Sequence, residues 1–215
     1  MIMNNKEFLN HIQLDVLKEI ANIGCGNAAT ALSRLLGKLI GMKVPSVSVM
    51  EFNEMMEFLG GPDQEVASVF LRFSGDLEGN MFFILPVEKA EAFVREMTGF
   101  ERITFSHPSD QDLALSAFQE MGNILAGSCL TAMAEFLKIS LLPSVPAVAI
   151  DMFGAIITYG LFEISRSYDF AIVIDTEISE PQSFEGNGPI RGHFLILPDP
   201  DSFDKIFSLL GVQNG

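Results

Sequence analysis

The sequence predicts an internally duplicated α+β fold, two helix-strand-strand-strand-helix halves related by a pseudo-two-fold axis. Three observations carry this. A polar stripe on one long helical stretch recurs in a second. A pair of prolines keeps the spacing of that repeat. Between the helical stretches lie alternating apolar runs and tight-turn signals.

The repeat begins at Asp15. Read as a helix at about 100° per residue, Val16, Leu17, Ile20, Ile23 and Gly24 fall on one side. Asp15, Glu19, Asn22 and Gly26 fall on the other, in a stripe about 60° wide. Ser116, Glu120, Asn123 and Gly127 repeat that stripe at a constant offset of 101 (116 − 15, 120 − 19, 123 − 22, 127 − 26). Thr30 and Thr131, Leu36 and Leu137, and Pro45 and Pro146 keep it as well. A single Glu-x-x-Asn is what a solvated helix face ordinarily looks like. Two copies with a proline in register point to duplication, and to something that spared the exposed residues.

The elements follow in order. Asn10-His11-Ile12-Gln13 reads as a capping box opening a helix that runs to Leu36, with Gly37 as its stop. Lys43–Glu51 alternates as one strand with one buried face, and Pro45 belongs at its start or on an edge. Phe52–Leu59 is a short helix and Gly60–Asp63 a turn. Glu65–Ser74 and Glu78–Leu85 form an antiparallel hairpin about Gly75-Asp76-Leu77. Val87–Met97 is a helix burying Ala90, Phe93, Val94 and Met97, closed by Gly99. Ser109-Asp110-Gln111-Asp112 starts the second long helix in capping-box fashion, and that helix runs to Phe136 or Leu137. Pro143 to Pro146 is a turn, and Ala147–Asp151 is a strand matching Pro45–Met50. Met152–Phe162 has no counterpart of equal length. Phe170–Glu177 and Pro189–Leu197 are strands, and Phe203, Ile206, Phe207 and Leu210 line the last helix. Leu85-Pro86 matches Leu197-Pro198 at an offset of 112, which sets His193 opposite Met81 and leaves about eleven extra residues in the second half. The repeats span approximately 10–100 and 109–211 of a single domain, 1–215.

Composition excludes several classes. With 28 acidic and 13 basic residues the net charge is −15, a surface that repels nucleic acid and anionic membrane. No signal peptide or apolar run of about 18 residues is visible, so the protein reads as cytoplasmic. Cys25 and Cys129 occupy non-equivalent positions among small residues and read as buried free thiols. His11, His107 and His193 have no Cys or second His at ligand spacing and read as surface, loop and packing residues, so no metal site is expected.

There is no Ser-His-Asp trio, P-loop, HExxH or dinucleotide fingerprint. What the stripe offers is a carboxylate and an amide three residues apart, side by side on one helix face. An amide C=O can accept from a water while its NH₂ donates to a phosphoryl oxygen, which aligns the water with phosphorus as Gln does in GTPases. An aspartyl phosphate on a partner protein would bring its own Mg²⁺ and Lys. Asn22 or Asn123 would then place the water, and Glu19 or Glu120 would dock on a partner cation. Gly26 on the stripe would either let another backbone approach closely or mark a local kink in the helix.

Asp15, Glu19, Asn22 and Pro45, matched again by Ser116, Glu120, Asn123 and Pro146, resemble the CheC family of chemotaxis phosphatases. The Asn22-Ile23-Gly24-Cys25-Gly26-Asn27-Ala28-Ala29-Thr30-Ala31 run is similar to the family pattern too. The resemblance covers nearly the whole chain. It implies a dephosphorylase of the phosphorylated response regulator CheY, with Glu19, Asn22, Glu120 and Asn123 catalytic and Asp15, Gly26, Ser116 and Gly127 meeting the partner. It implies two long site-bearing helices beside a continuous antiparallel sheet, and no cofactor beyond the partner's Mg²⁺. Two sites without an appended flagellar-switch domain fit the CheC type better than the CheX or FliY types. The family also binds the receptor deamidase CheD. Val148–Asp151 and the following helix resemble that docking region, with Asp151 as a candidate contact. The alternative function is a non-catalytic adaptor for CheD, or a flagellar-switch-like scaffold as in the middle region of FliM. A duplicated chain already holds the contacts that a single-site relative would gain by dimerising, so a monomer is expected.

Overall fold

The computed structural model describes residues 11–161, 170–179 and 189–210. The elements are α1 (His11–Leu36), β1 (Gly41–Lys43), β2 (Val47–Glu51), α2 (Phe52–Phe58), β3 (Glu65–Gly75), β4 (Gly79–Pro86) and α3 (Val87–Thr98). The second half repeats them as α4 (Gln111–Leu137), β5 (Leu141–Pro143), β6 (Ala147–Met152), α5 (Phe153–Leu161), β7 (Phe170–Ser179), β8 (Ile190–Pro198) and α6 (Pro200–Leu209).

Among the described residues the strands form one antiparallel sheet in the order β1-β7-β8-β4-β3-β5. β2 continues β1 along β7, and β6 continues β5 along β3. The halves therefore exchange their rims. The first half's β1 and β2 pair with the second half's β7, and β5 and β6 pair with the first half's β3. The two hairpins meet at the centre through β4 and β8, where Phe82 pairs Leu195 and Ile84 pairs His193.

The hairpin and rim registers together correct the alignment expected from Leu-Pro. Val69 pairs Phe83 and Ile174 pairs Phe194, so β4 and β8 are offset by 111 (194 − 83), which carries Phe82 onto His193 where Leu-Pro matching gave 112 and Met81. Val69 faces Val148 and Ile174 faces Val47, so β3 and β7 are offset by 105 (174 − 69). α2 and α5 still begin 101 apart (153 − 52). Ten extra residues thus lie in the second half, four between the start of α5 and β7 and six between β7 and β8.

Each face of the sheet carries its own core. On one side α1, α3, α4 and α6 cover Val69, Leu71, Phe83 and Phe194, with Phe118 of α4 fully buried. On the other, Met55 of α2 and Phe153, Ile156 and Ile157 of α5 cover Phe82, Ile84 and Leu195. A buried aromatic or aliphatic side chain of this kind contributes about 1.5–3 kcal/mol. Because both faces are covered, β2 is half-buried from Val47 to Met50, with Glu51 exposed, and not one-sided as its alternation suggests.

The single strand expected over Lys43–Glu51 is interrupted. β1 ends at Lys43 and β2 starts at Val47, with Pro45 between them. Proline has no N–H for the ladder, and the neighbouring backbone groups are engaged by α1, as described below. In the second half a short strand not expected from the sequence, Leu141–Pro143, precedes the segment expected as a turn and takes in its first residue, Pro143; it is held by Phe73 and Ser74 of β3. The capping box expected at Ser109–Asp112 does not form. Asp110 is the N-cap but makes no side-chain cap bond, and Ser109 Oγ instead donates to Asp110 Oδ1 at 2.6 Å. The cap expected at Asn10 lies outside the described residues.

Helix ends behave as the residues dictate. Gly37 and Gly99 close α1 and α3 with φ of 64° and 73°. At the equivalent of Gly37, Lys138 takes φ 55°, the left-handed region that a Cβ disfavours.

Candidate functional site

α1 and α4 lie against one another over the same face of the sheet. At Gly24 they come close: a Cβ there would lie 2.9 Å from Cys129 Cα. Cys25 and Cys129 are both buried and free, and burial pushes each thiol up to about 12. They are packing residues, as expected.

With that seam inward, the stripes point out. Asp15, Glu19 and Gly26 are exposed on α1, and Ser116, Glu120 and Asn123 are exposed on α4. A Cβ added at Gly26 or at half-buried Gly127 would meet nothing within 4 Å. Ile23, placed on the apolar side by helical periodicity, is 40% exposed. It borders the stripe and does not join the core. The carboxylates of Glu19 and Glu120 have no hydrogen bond or ion pair among the described residues.

The asparagines are not equivalent. Asn123 is exposed and its amide has no partner among the described residues. Asn22 is half-buried and held at both ends. Its Nδ2 donates to Lys18 O at 3.0 Å, and its Oδ1 accepts from the Val44 backbone N–H at 3.1 Å. The neighbours fix which end is which, since a backbone N–H can only donate and a carbonyl only accept.

Two residues that sequence reading missed anchor this geometry. Lys18 Nζ donates to Pro45 O at 2.6 Å, and Gln119 Nε2 donates to Pro146 O at 2.9 Å. Lys18 and Gln119 are themselves 101 apart (119 − 18) and each directly precedes a stripe glutamate. Both are donors with reach, and that was the available signal. These bonds tie each proline to its helix one turn before the stripe asparagine. Beyond them the halves diverge: Val44 is 4% exposed and Val145 is 83% exposed.

Asp151 is not brought to either stripe. It sits exposed at the end of β6, opposite Val66, with Oδ1 accepting from the Met152 N–H at 2.7 Å. Five residues of extended chain, roughly 17 Å, separate it from Pro146. His193, expected as a packing residue, lies edge-on to Phe58 with ring centroids 5.8 Å apart and its Nδ1 2.8 Å from Asp175 Oδ1. His107 Nδ1 lies 2.8 Å from Ser109 Oγ in the loop before α4. Among the described residues no His, Cys, Asp and Glu side chains gather in threes to hold a metal ion, and no helix is long and apolar enough to cross a membrane.

Paired stripe-bearing helices on a rim-exchanged, duplicated sheet define one architectural class. The CheC-like family profile matches residues 12–49 and 113–150, the two helix-to-proline segments. "CheY-P phosphatase CheC" of Bacillus subtilis (strain 168) is 47% identical over 201 residues, 94% of this chain and 95% of that protein. The chain belongs to the CheC-like family. Among solved structures, Thermotoga maritima FliY superposes with a TM-score of 0.73 at 24% identity, covering 94% of this chain and 98% of that one. CheX of the CheX-CheY-BeF3-Mg+2 complex from Borrelia burgdorferi, a match with a TM-score of 0.51 at 16% identity, covers 82% and 96%. Both share the fold.

Proposed function

We propose that the protein is a phosphatase for the aspartyl phosphate of a CheY-type receiver domain, acting at one stripe on each long helix. The observation that carries the reading is Asn123: an exposed amide on a long helix, without a partner among the described residues, one turn from the exposed carboxylate of Glu120. The name of the B. subtilis relative supports it.

Glu120 docks on a cation of the receiver. This fixes α4 against the phosphorylation site, and Asn123 follows on the same face. The Asn123 carbonyl accepts a hydrogen bond from a water while its NH₂ donates to a phosphoryl oxygen. The water is thereby held in line with phosphorus. The water oxygen forms the new bond to phosphorus as the bond to the aspartyl oxygen breaks. The electron pair stays on the departing carboxylate, and the water's proton passes to solvent or to the phosphate. The partner's Mg²⁺ supplies charge neutralisation on the phosphoryl oxygens. Glu19 and Asn22 play the same parts on α1, Asp15 and Ser116 border the docked partner, and Gly26 and Gly127 leave room for its backbone. Phosphate release from a phosphorylated receiver tests the reading: it should be catalysed by wild type and lost in Asn22→Ala/Asn123→Ala. Undiminished release by that double variant would sink it.

A second, compatible reading concerns β6, which pairs with β3 on one side only and exposes Ala147, Ala149 and Asp151. That edge and α5 would dock CheD. Abolition of CheD pull-down by Asp151→Lys, with phosphate release intact, checks it. We also place the chain in the cytoplasm as a monomeric single domain. The rim exchange supports that unit, because each half's outer strands complete the other's sheet.

A further inference from the structure

We infer that Lys18 is a positioning residue that holds Asn22 out of use, so that the site on α1 is latched while the site on α4 stands ready. The inference rests on the phosphatase reading and concerns the same stripes. The group that must hold the attacking water is the asparagine carbonyl. In Asn22 that oxygen already accepts from the Val44 N–H at 3.1 Å, and its Nδ2 is turned back along the helix to Lys18 O at 3.0 Å. The contact from Val44 exists because the Val44–Ser46 segment is drawn onto α1. Lys18 draws it there through Nζ on Pro45 O at 2.6 Å, a charge-assisted and correspondingly stronger bond. Ser46 O, accepting from the Asp175 N–H at 2.9 Å, secures the far side of the segment.

The second half is the internal control. Gln119 makes the equivalent bond to Pro146 O as a neutral donor at 2.9 Å. Val145, the same residue type as Val44, points to solvent, and the Asn123 side chain makes no bond among the described residues. One fold and one motif thus occur in two states within a single chain: both halves keep the helix-to-proline bond, charged through Lys18 and neutral through Gln119, and the first half adds the neighbouring Val44 contact. Bonds at both ends fix the orientation of the Asn22 amide, so the side chain must leave them before it can turn toward a docked receiver. At Asn123 nothing has to move.

The test isolates the α1 site in an Asn123→Ala background and compares Lys18→Gln with the parent. Weakening one hydrogen bond that must break before reaction is expected to raise kcat roughly threefold or more. KM for the phosphorylated receiver should stay unchanged, and adding Asn22→Ala should erase the gain. Amide hydrogen exchange gives a readout independent of activity. In wild type Val44 should be protected and Val145 not, and Lys18→Gln should speed exchange at Val44 alone. An unchanged or lower kcat, or equal exchange at Val44 with and without Lys18, overturns the latch. If wild type releases no phosphate, the phosphatase reading fails, and the exchange comparison still decides whether Lys18 sets the state of the segment.

Discussion

The backbone N–H of Val44 ends on the side-chain oxygen of Asn22 at 3.1 Å, whereas the equivalent Val145 turns outward and the Asn123 side chain has no partner among the described residues. Two candidate sites that share the Glu-x-x-Asn motif therefore start from different hydrogen-bonded states. Using Asn22 costs the rupture of hydrogen bonds worth about 0.5–1.5 kcal/mol each. Asn123→Ala is expected to remove most of the phosphate release and Asn22→Ala a minor part. The double variant should fall by roughly 10²-fold, the cost of losing one transition-state donor. Initial rates on a phosphorylated receiver measure all three.

Gly24 and Gly26 lie two residues apart and should respond in opposite ways to alanine. At Gly24 the new Cβ would press on the Cys129 backbone at 2.9 Å. Spreading the α1–α4 seam should cost about 1–3 kcal/mol. At Gly26 the Cβ enters open space, and the helix should gain about 1 kcal/mol from improved propensity. If the receiver's backbone approaches there, Gly26→Ala will also raise KM. Urea denaturation and steady-state kinetics separate the two effects.

Lys138 is the left-handed closing residue of α4, where α1 uses Gly37. Lys138→Gly should stabilise the protein by about 1 kcal/mol, because the Cβ strain at φ 55° disappears. A higher midpoint in urea with an unchanged slope checks this.

Glu177 on β7 is bridged by Lys43 Nζ at 2.7 Å and by Arg191 Nη2 at 3.3 Å. Lys43 above all, with Arg191, holds its carboxyl below the ordinary value of 4.5, against the opposing effect of burial. The folded state thus favours the ionised form. The resulting stability is present above about pH 4.5 and is lost as pH falls through the lowered folded-state value. Glu177→Gln should therefore lie below wild type in stability at neutral pH and converge with it in acid. Parallel thermal denaturation series from pH 3 to 7 read the difference.

Most of the fold was legible because the repeat was. The helix spans, the hairpins, the α+β class and the exposure of Glu19, Glu120 and Asn123 all follow from periodicity and turn chemistry. The family pattern named the fold and the stripe. The rim exchange was not legible, since alternation shows that Ala147–Met152 is a strand but not which half's strand it joins. Nor was the break at Val44–Ser46. It arises where Pro45 withholds a donor and α1 side chains take the remaining groups, a tertiary competition with no local signature. Helical angle alone put Ile23 on the buried side, but the seam at Gly24 is narrow enough to leave it at the edge. Asn22 shows the limit most clearly: its spacing matches that of Asn123, and only the packing of Val44 separates them.

The exchanged rims have a consequence for how such a protein can change over time. Each stripe belongs to one copy of the ancestral unit, while the proline segment beside it is laced into the other copy's sheet. Neither copy can be deleted without stranding four short strands' worth of unsatisfied edge, so a damaged site is kept as scaffold. One copy is then free to be retuned in rate while its twin keeps the chain viable, and a single gene can carry a fast site and a slow one on the same rigid body.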